Sequence, residues 1–596
     1  MKKYLLVLVS LCCALLPALA EHPEYPELRK SDANIIGHIL DKKTNEHLPY
    51  ITVALKGTTI GTVTDATGHY FLKNLPEGNF VLEISSVGYK TISRNVTLKK
   101  GKTLEENFEI EEDAIALDGV VVSANRSETT RRLAPTLVNV VDLKLFETTN
   151  SSTLSQGLNF QPGVRVETNC QNCGFQQVRI NGLDGPYTQI LIDSRPVFSA
   201  LSGVYGLEQI PASMIERVEV MRGGGSALFG SSAIAGTINI ITKEPLRNSG
   251  RLSHTITSIG GSSSFDNNTS LNASLVTDDH RAGLYIFGQN RHRSGYDYDG
   301  DGFTELPKLK NQTVGFRSYL KTSTYSKLTF EYHHMQEFRR GGDMLNRPPH
   351  EAHIAEQLQH SIDGGSLKYD YFSPDEKNRL SVFASAANTD RDSYYGPGND
   401  PLKAYGKTTD LTAMGGAQYV HSFDKLLFMP SDLTAGLEYN RDRLKDNMWG
   451  YDRHTDQTVN IYSAFLQNEW KNKHWGILIG GRLDKHNMVD DIIFSPRANL
   501  RFNPTDNINL RLSYSSGFRA PQAFDEDMHI ENVGGTVAMI ERAKDLKEEK
   551  SQSFSMSADM YHRFGAFQTN LLVEGFYTRL TDVFVLGEPY DRGDGI

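Results

Sequence analysis

Ile508-Asn509-Leu510-Arg511-Leu512-Ser513-Tyr514 places an apolar side chain at nearly every second position and a polar one between. Successive side chains of a β-strand point to opposite faces, so the segment reads as a strand with one greasy face and one wet face. Val314-Gly315-Phe316-Arg317-Ser318-Tyr319-Leu320, Leu328-Thr329-Phe330-Glu331-Tyr332, Gly283-Leu284-Tyr285-Ile286-Phe287-Gly288 and Leu571-Leu572-Val573-Glu574-Gly575-Phe576 repeat the pattern. The connections alternate in length as well. Asp278 to Arg281, Ser373 to Asn378 and Thr505-Asp506 are short, whereas Arg291 to Lys310, Phe338 to His360 and Pro521 to Lys547 are long. Short turns on one rim, long loops on the other, a lipid face and a polar lumen define a transmembrane β-barrel, and a soluble sandwich needs no such asymmetry. The segments number roughly fifteen, while single-chain bacterial barrels close with an even number of strands. The sequence stops at Asp594-Gly595-Ile596, directly after a strand, and reads as truncated at its C-terminus.

Composition agrees. The chain has 596 residues, 10% of them aromatic, and 51 glycines. Its mean hydropathy of −0.41 is too polar for a helical membrane protein. No stretch beyond the N-terminus approaches the ~18 apolar residues of a membrane helix, so any crossing is made by a closed barrel, which satisfies every backbone group. The net charge of −10 and the lack of a basic stripe argue against a nucleic-acid partner. Met1-Lys2-Lys3, the apolar run from Tyr4 to Leu16 and Ala18-Leu19-Ala20 before Glu21 form a secretory signal, residues 1–20. A lipoprotein reading at Cys12 or Cys13 is opposed by the bulky Leu11 and the short apolar region it would leave. Of the 4 cysteines, Cys170 and Cys173 remain after cleavage.

Residues 32–112 predict a small β-sandwich, with strands at Ile35 to Leu40, Ile51 to Leu55, Tyr70 to Leu72 and Phe80 to Ser85. Gly57-Thr58-Thr59, Thr64-Asp65-Ala66-Thr67-Gly68 and Leu75-Pro76-Glu77-Gly78 supply turns. Leu48-Pro49, Gly61-Thr62, Asp65, Gly68-His69-Tyr70, Leu75-Pro76-Glu77-Gly78 and Gly88-Tyr89 resemble the carboxypeptidase regulatory-like domain. That resemblance implies a non-catalytic accessory, and no metal-ligand cluster or nucleophile–base pair points to chemistry.

Residues 126–247 change to glycine-rich α/β texture. A serine-capped helix is predicted from Ser152-Thr153-Leu154-Ser155-Gln156-Gly157-Leu158, and strands from Ile190-Leu191-Ile192 and Ile238-Asn239-Ile240-Ile241. Gln177-Val178-Arg179-Ile180-Asn181-Gly182, Ile210-Pro211-Ala212 and Ile215-Glu216-Arg217-Val218-Glu219-Val220 follow one another here. Arg222-Gly223-Gly224-Gly225-Ser226-Ala227-Leu228-Phe229-Gly230 and Ala235-Gly236-Thr237-Ile238-Asn239 complete the set. Together they resemble the plug domain of TonB-dependent receptors, and with the accessory domain the arrangement is similar to receptors from Bacteroidetes. The resemblance implies a mainly β protein: a small β-sandwich, then an α/β plug inside a large antiparallel transmembrane barrel that begins at residue 250. About 22 strands leave a lumen wide enough for a plug. It further implies the outer membrane and its lipids, a periplasmic TonB protein and a small-molecule metal chelate as partners, and it leaves room for an outer lid lipoprotein. The glycine run lacks the lysine and serine or threonine spacing of a phosphate-binding loop.

Within residues 117–125, Asp118-Gly119-Val120-Val121-Val122-Ser123-Ala124 resembles the family's TonB box, an extended segment that a partner captures as an added strand. Its β-branched valines favour that conformation. The competing reading is that they finish a strand of the accessory domain. Asn169-Cys170-Gln171-Asn172-Cys173-Gly174-Phe175 lies where the resemblance places a substrate-facing plug loop. Two cysteines at this spacing could be half a zinc site or a redox pair, but the plug offers no second pair and no histidine, and export to an oxidising compartment favours a Cys170–Cys173 disulfide. In a long outer loop Asp297, Asp299 and Asp301 stand two residues apart, which suits either calcium or a solvated acidic turn; Lys308 replaces the glutamate of a full EF-hand. Phe518-Arg519-Ala520-Pro521 resembles a family motif whose second half here reads Ala543-Lys544-Asp545-Leu546 in place of Asn-Pro-Asp-Leu.

The leading function is energised import of a scarce metal chelate, iron siderophore or haem, with cobalamin as the alternative and a passive channel or adhesin behind them. No paired catalytic carboxylates or triad point to an enzyme, and no cofactor is required. Haem enters because His529, between the Phe518 motif and Asp545-Leu546, resembles a ligand histidine of haem receptors. His350, His353 and His360 share another outer loop.

Overall fold

A computed structural model describes residues 31–591, apart from 66, 87, 113–119, 128, 171, 197–207, 209, 232, 398–403, 524–527, 534, 535, 544 and 566. The signal segment, Asp118, Gly119 and Gln171 therefore lie outside the described residues.

Two small sheets open the chain. One joins Ala33–Asp41 to His69–Leu75, Thr103–Glu105 and Phe108–Ile110; the other runs in the order Gly61–Val63, Thr52–Leu55, Gly78–Ser85, Ile92–Leu98. Ile35, Ile39, Val53, Leu55, Leu72 and Ile84 form one buried cluster, each such side chain contributing about 1.5–3 kcal/mol by burial. The expected strands are all present with small shifts at their ends. The additional ones are mostly too short for alternation to reveal. This unit touches the barrel at a short turn: the Thr59 N–H donates to the Thr324 carbonyl at 2.9 Å, and the Arg247 guanidinium lies 3.7 Å from the Tyr50 ring centroid.

The following unit is built on a five-stranded sheet in the order Val138–Asp142, Ile215–Arg222, Gly236–Thr242, Thr188–Ile192, Arg195–Pro196. A separate hairpin pairs Val164–Cys170 with Phe175–Ile180. The helix expected from Ser152 covers Leu154–Leu158, and its cap is Thr153, whose side chain makes no capping bond. Ser152 instead donates its N–H to Gln156 Oε1 at 2.7 Å. Leu143–Thr148, a helix the sequence did not announce, is capped by Asp142, whose carboxylate accepts from the Leu145 N–H at 2.8 Å. A β-carbon on Gly224 would stand 1.8 Å from Ser515 Oγ on the barrel wall, so only glycine fits this approach.

A fifteen-stranded sheet surrounds that unit, every strand antiparallel to its neighbours in the sheet from Ser249–Ser258 to Phe567–Thr581. Alternation decides which side chain faces which medium. On Met429–Met448, Leu437 is 65% exposed while its neighbour Glu438 is 7% exposed. Outward positions such as Ile256, Leu271, Leu466 and Ile479 continue the apolar band, and inward positions bury Arg291, Arg339, Arg482, Arg497 and Asp484. No helix among the described residues is long and apolar enough to cross a membrane; the strands cross it. The outer connections are shorter than expected, because Ser326–Gly342 and Ile354–Phe372 stay paired well into the stretch from Phe338 to His360.

Candidate functional site

The segment that resembles a TonB box is packed away inside the barrel, as far as it is described, from Val120 to Ala124. Val120–Val121 pairs with Thr129–Thr130 in a two-stranded ribbon, so the valines complete no strand of the accessory sheets. Val121, Ser123 and Ala124 are fully buried. One carboxylate oxygen of Glu219, on strand Ile215–Arg222, accepts from the Val122 N–H at 2.9 Å, the Ser123 N–H at 2.9 Å and the Ser123 hydroxyl at 2.7 Å. Asn239 Nδ2 donates to the same hydroxyl at 3.0 Å. Barrel side chains hold the next residues: Arg497 donates to the Ala124 carbonyl at 3.0 Å and Gln467 to the Asn125 carbonyl at 2.8 Å. Arg126 pairs with Glu438 at 2.6 Å and lies 5.1 and 4.8 Å from the ring centroids of Phe229 and Phe465.

A second centre stands at the opposite end of the lumen. The hairpin of Val164–Cys170 and Phe175–Ile180 turns through Asn172-Cys173-Gly174, where Gly174 takes φ +68° and donates to the Cys170 carbonyl at 3.0 Å. Positive φ suits glycine here, and a β-carbon would also crowd Arg339 at 3.0 Å. The turn brings both thiols to one side. The structure does not join the two sulfurs in a disulfide; each has a polar neighbour from elsewhere in the chain. Cys170 Sγ lies 3.1 Å from Glu356 Oε2, and Cys173 Sγ lies 3.5 Å from His529 Nε2. His529 Nε2 is also 3.5 Å from Glu356 Oε2. The Cys173 N–H points at Cys170 Sγ, 3.5 Å away.

A side-chain hydrogen bond with Cys173 holds the Cys170 thiol below its ordinary range, against burial and with help from His529. Burial opposes charge on His529, but the hydrogen bonds to Cys170 and Glu356 and their charges raise its pKa. Around the donors Ala355, Tyr394, Tyr395 and Ile530 form an apolar collar, with the Tyr395 ring edge-on to His529 at 5.5 Å between centroids.

His529, the residue expected as a haem ligand, is largely buried at this centre. Its side chain is 14% exposed and is engaged with the plug cysteines and Glu356. The other histidines expected in an outer loop have different partners, and His360 lies within the strand Ile354–Phe372: His350 meets the Tyr405 hydroxyl at 2.8 Å, His353 pairs with Asp343 at 2.6 Å, and buried His360 lies 3.7 Å from Glu337. Glu356 escaped sequence reasoning, although alternation along its strand would have turned it inward.

Asp297, Asp299 and Asp301 do converge, together with Glu305. Their carboxylates already accept from backbone N–H groups of the same turn, Asp297 from Gly300 at 2.7 Å and Gly302 at 2.9 Å, and Asp301 from Phe303 at 2.8 Å. Phe518 and Ala520 are buried at the end of Ile508–Arg519, and Arg519 pairs with Glu549 at 3.5 Å.

Comparison with known proteins agrees with this layout. Residues 35–122 match the CarboxypepD_reg-like domain, 130–237 the TonB-dependent Receptor Plug Domain, and 236–595 the family described as TonB dependent receptor-like, beta-barrel. Two Vitamin B12 transporters BtuB of Vibrio vulnificus are similar. One, from strain CMCP6, is 25% identical over 68% of this chain and 64% of its own length; the other, from strain YJ016, is 29% identical over 35% and 39%. The chain thus spans less than two thirds of the curated relatives it matches. Among solved structures, the siderophore receptor PirA from Acinetobacter baumannii superposes with a TM-score of 0.60 at 18% identity, covering 76% of this chain and 78% of that one. A mutant of the ferric enterobactin receptor PfeA from Pseudomonas aeruginosa gives 0.61 at 19% identity, covering 76% and 71%.

Proposed function

This chain belongs to the TonB-dependent receptors of the outer membrane, and from that premise we propose that it imports a scarce metal chelate, drawing energy from a periplasmic TonB protein that captures Val120–Ala124. The observation that carries the reading is the burial of that segment under Glu219, Arg497 and Gln467 inside a plugged lumen. A passive channel or adhesin has no use for a strand-forming segment kept sequestered until it is pulled. Substrate bound at the outer rim and force applied at the inner rim act on one body, the plug, which touches the barrel wall at both ends.

An iron siderophore is the leading cargo class, supported by the siderophore receptors among the structural neighbours. Cobalamin is the second reading, favoured by the name of the sequence relatives. Growth of a deletion strain complemented with the receptor separates them. Rescue under iron limitation by a ferric siderophore supports the first; rescue only when cobalamin is limiting replaces it with the second.

A further inference from the structure

Four side chains that no motif joins meet at the plug apex: Cys170 and Cys173 from the plug hairpin, Glu356 from the barrel wall and His529 from an outer loop. Their donor atoms all lie within 4.8 Å of one another. We propose that these four residues bind a borderline or soft transition-metal ion of the zinc and copper(I) class; this site does not depend on the identity of the cargo.

Spacing argues for an ion-sized centre. A tetrahedral ion with bonds of about 2.3 Å to sulfur and about 2.0–2.1 Å to nitrogen or oxygen sets its ligand atoms roughly 3.3–3.8 Å apart. The recorded separations are 3.1 Å for Cys170 Sγ to Glu356 Oε2, 3.5 Å for Cys173 Sγ to His529 Nε2, and 3.5 Å for His529 Nε2 to Glu356 Oε2. The other separations are at most 4.8 Å, so movements of about 1 Å or less would complete the tetrahedron. A disulfide would remove both sulfurs from that set, and the hairpin instead keeps them as separate thiols.

Donor type selects the ion. Two sulfurs, one imidazole and one carboxylate suit zinc-class ions, whereas hard cations such as calcium and magnesium prefer all-oxygen shells. A ferric ion already wrapped in siderophore oxygens offers no position for a thiolate. The surroundings fit as well. The Cys173 N–H directed at Cys170 Sγ stabilises sulfur-centred negative charge. The collar of Ala355, Tyr394, Tyr395 and Ile530 keeps water from competing for the ion. Because plug, wall and loop each contribute a donor, the site is complete only in the assembled receptor.

The test uses the whole receptor, purified in detergent with a mild reductant and titrated with Co²⁺ as a spectroscopic probe, then with Zn²⁺ and Cu⁺ in competition. The expected result is one ion per chain, a sulfur-to-cobalt charge-transfer band, and displacement of cobalt by zinc or copper(I); which of the two displaces it at lower concentration identifies the ion. Cys170→Ser with Cys173→Ser should abolish the band. His529→Ala and Glu356→Gln, which leave the hairpin untouched, should each weaken binding at least tenfold, so the proposal stays testable if the cysteine variants misfold. Absence of the band under reducing conditions, or equal binding by all variants, overturns the site.

Discussion

Ser123 is bound to Glu219 twice, through its N–H at 2.9 Å and its hydroxyl at 2.7 Å, so one carboxylate oxygen of the plug sheet holds the docking segment in place. The same oxygen takes the Val122 N–H, and Glu219 is fully buried. Removing the carboxylate would leave buried donors unsatisfied, at about 1–3 kcal/mol each. Glu219→Ala should therefore raise amide hydrogen exchange at Val120–Ala124 by at least tenfold while the barrel strands stay protected. Exchange that stays at the parent rate would mean that Arg497 and Gln467 hold the segment without Glu219.

Val121 is fully buried and pairs with Thr129 in the resting ribbon. Proline at this position removes a backbone donor and fixes φ, which spoils strand addition to any partner. Val121→Pro should abolish energised uptake and leave surface binding of cargo intact. Unchanged uptake would place the docking segment elsewhere in the chain.

The period-two reading of the barrel makes a prediction with a sign. Leu437 lies near the middle of Met429–Met448 and faces outward, whereas Glu438 faces the lumen. An arginine on the lipid face near the bilayer midplane costs about 2–4 kcal/mol. Leu437→Arg should lower stability by that order in equilibrium unfolding from lipid vesicles, and a change below a few tenths of a kcal/mol would put this residue outside the hydrocarbon band.

Leu437 and Glu438 also show why the barrel was legible: a side chain's medium follows from parity along a strand, which is local information. The plug could be read because its glycines and short apolar runs are equally local, as at Gly224 against Ser515. The apex centre was only half visible. Cys170 and Cys173 are three residues apart, and their nearest expected partners were each other; their actual neighbours, Glu356 and His529, are separated from them by 186 and 356 positions. No periodicity carries information over such a distance. The same holds for Glu219 and Ser123, 96 positions apart, which meet because two plug strands and the docking segment converge. Strand ends were misjudged for another reason. Beyond the lipid band both faces of a strand are wet, so alternation fades while pairing continues, as at Arg339 with Leu358.

Glu208, a buried plug residue, is the common counter-ion of three barrel arginines, at 3.4 Å from Arg291, 3.2 Å from Arg293 and 2.8 Å from Arg339. Arg291 also pairs with Asp266 and Arg339 with Glu337, whereas Arg293 additionally donates to the Pro307 carbonyl. Breaking a buried ion pair by removing one partner costs about 3–5 kcal/mol, because the remaining charge is left in a low-dielectric site. Glu208→Ala should thus loosen the plug from the wall, lowering the temperature at which plug amides lose protection before the barrel melts. Acidity gives the prediction its control. Burial would raise the Glu208 pKa, but the three guanidinium groups outweigh it and hold the carboxyl well below its ordinary value of 4.5. A depressed carboxyl stabilises the folded state fully above that value, and its contribution is lost as the pH falls from there toward the folded pKa. The stability difference between parent and Glu208→Ala should then be flat from neutral pH down to about pH 5 and shrink below it. A difference that persists unchanged into strong acid would assign the effect to lost packing at residue 208 and remove the ionic tie between plug and barrel.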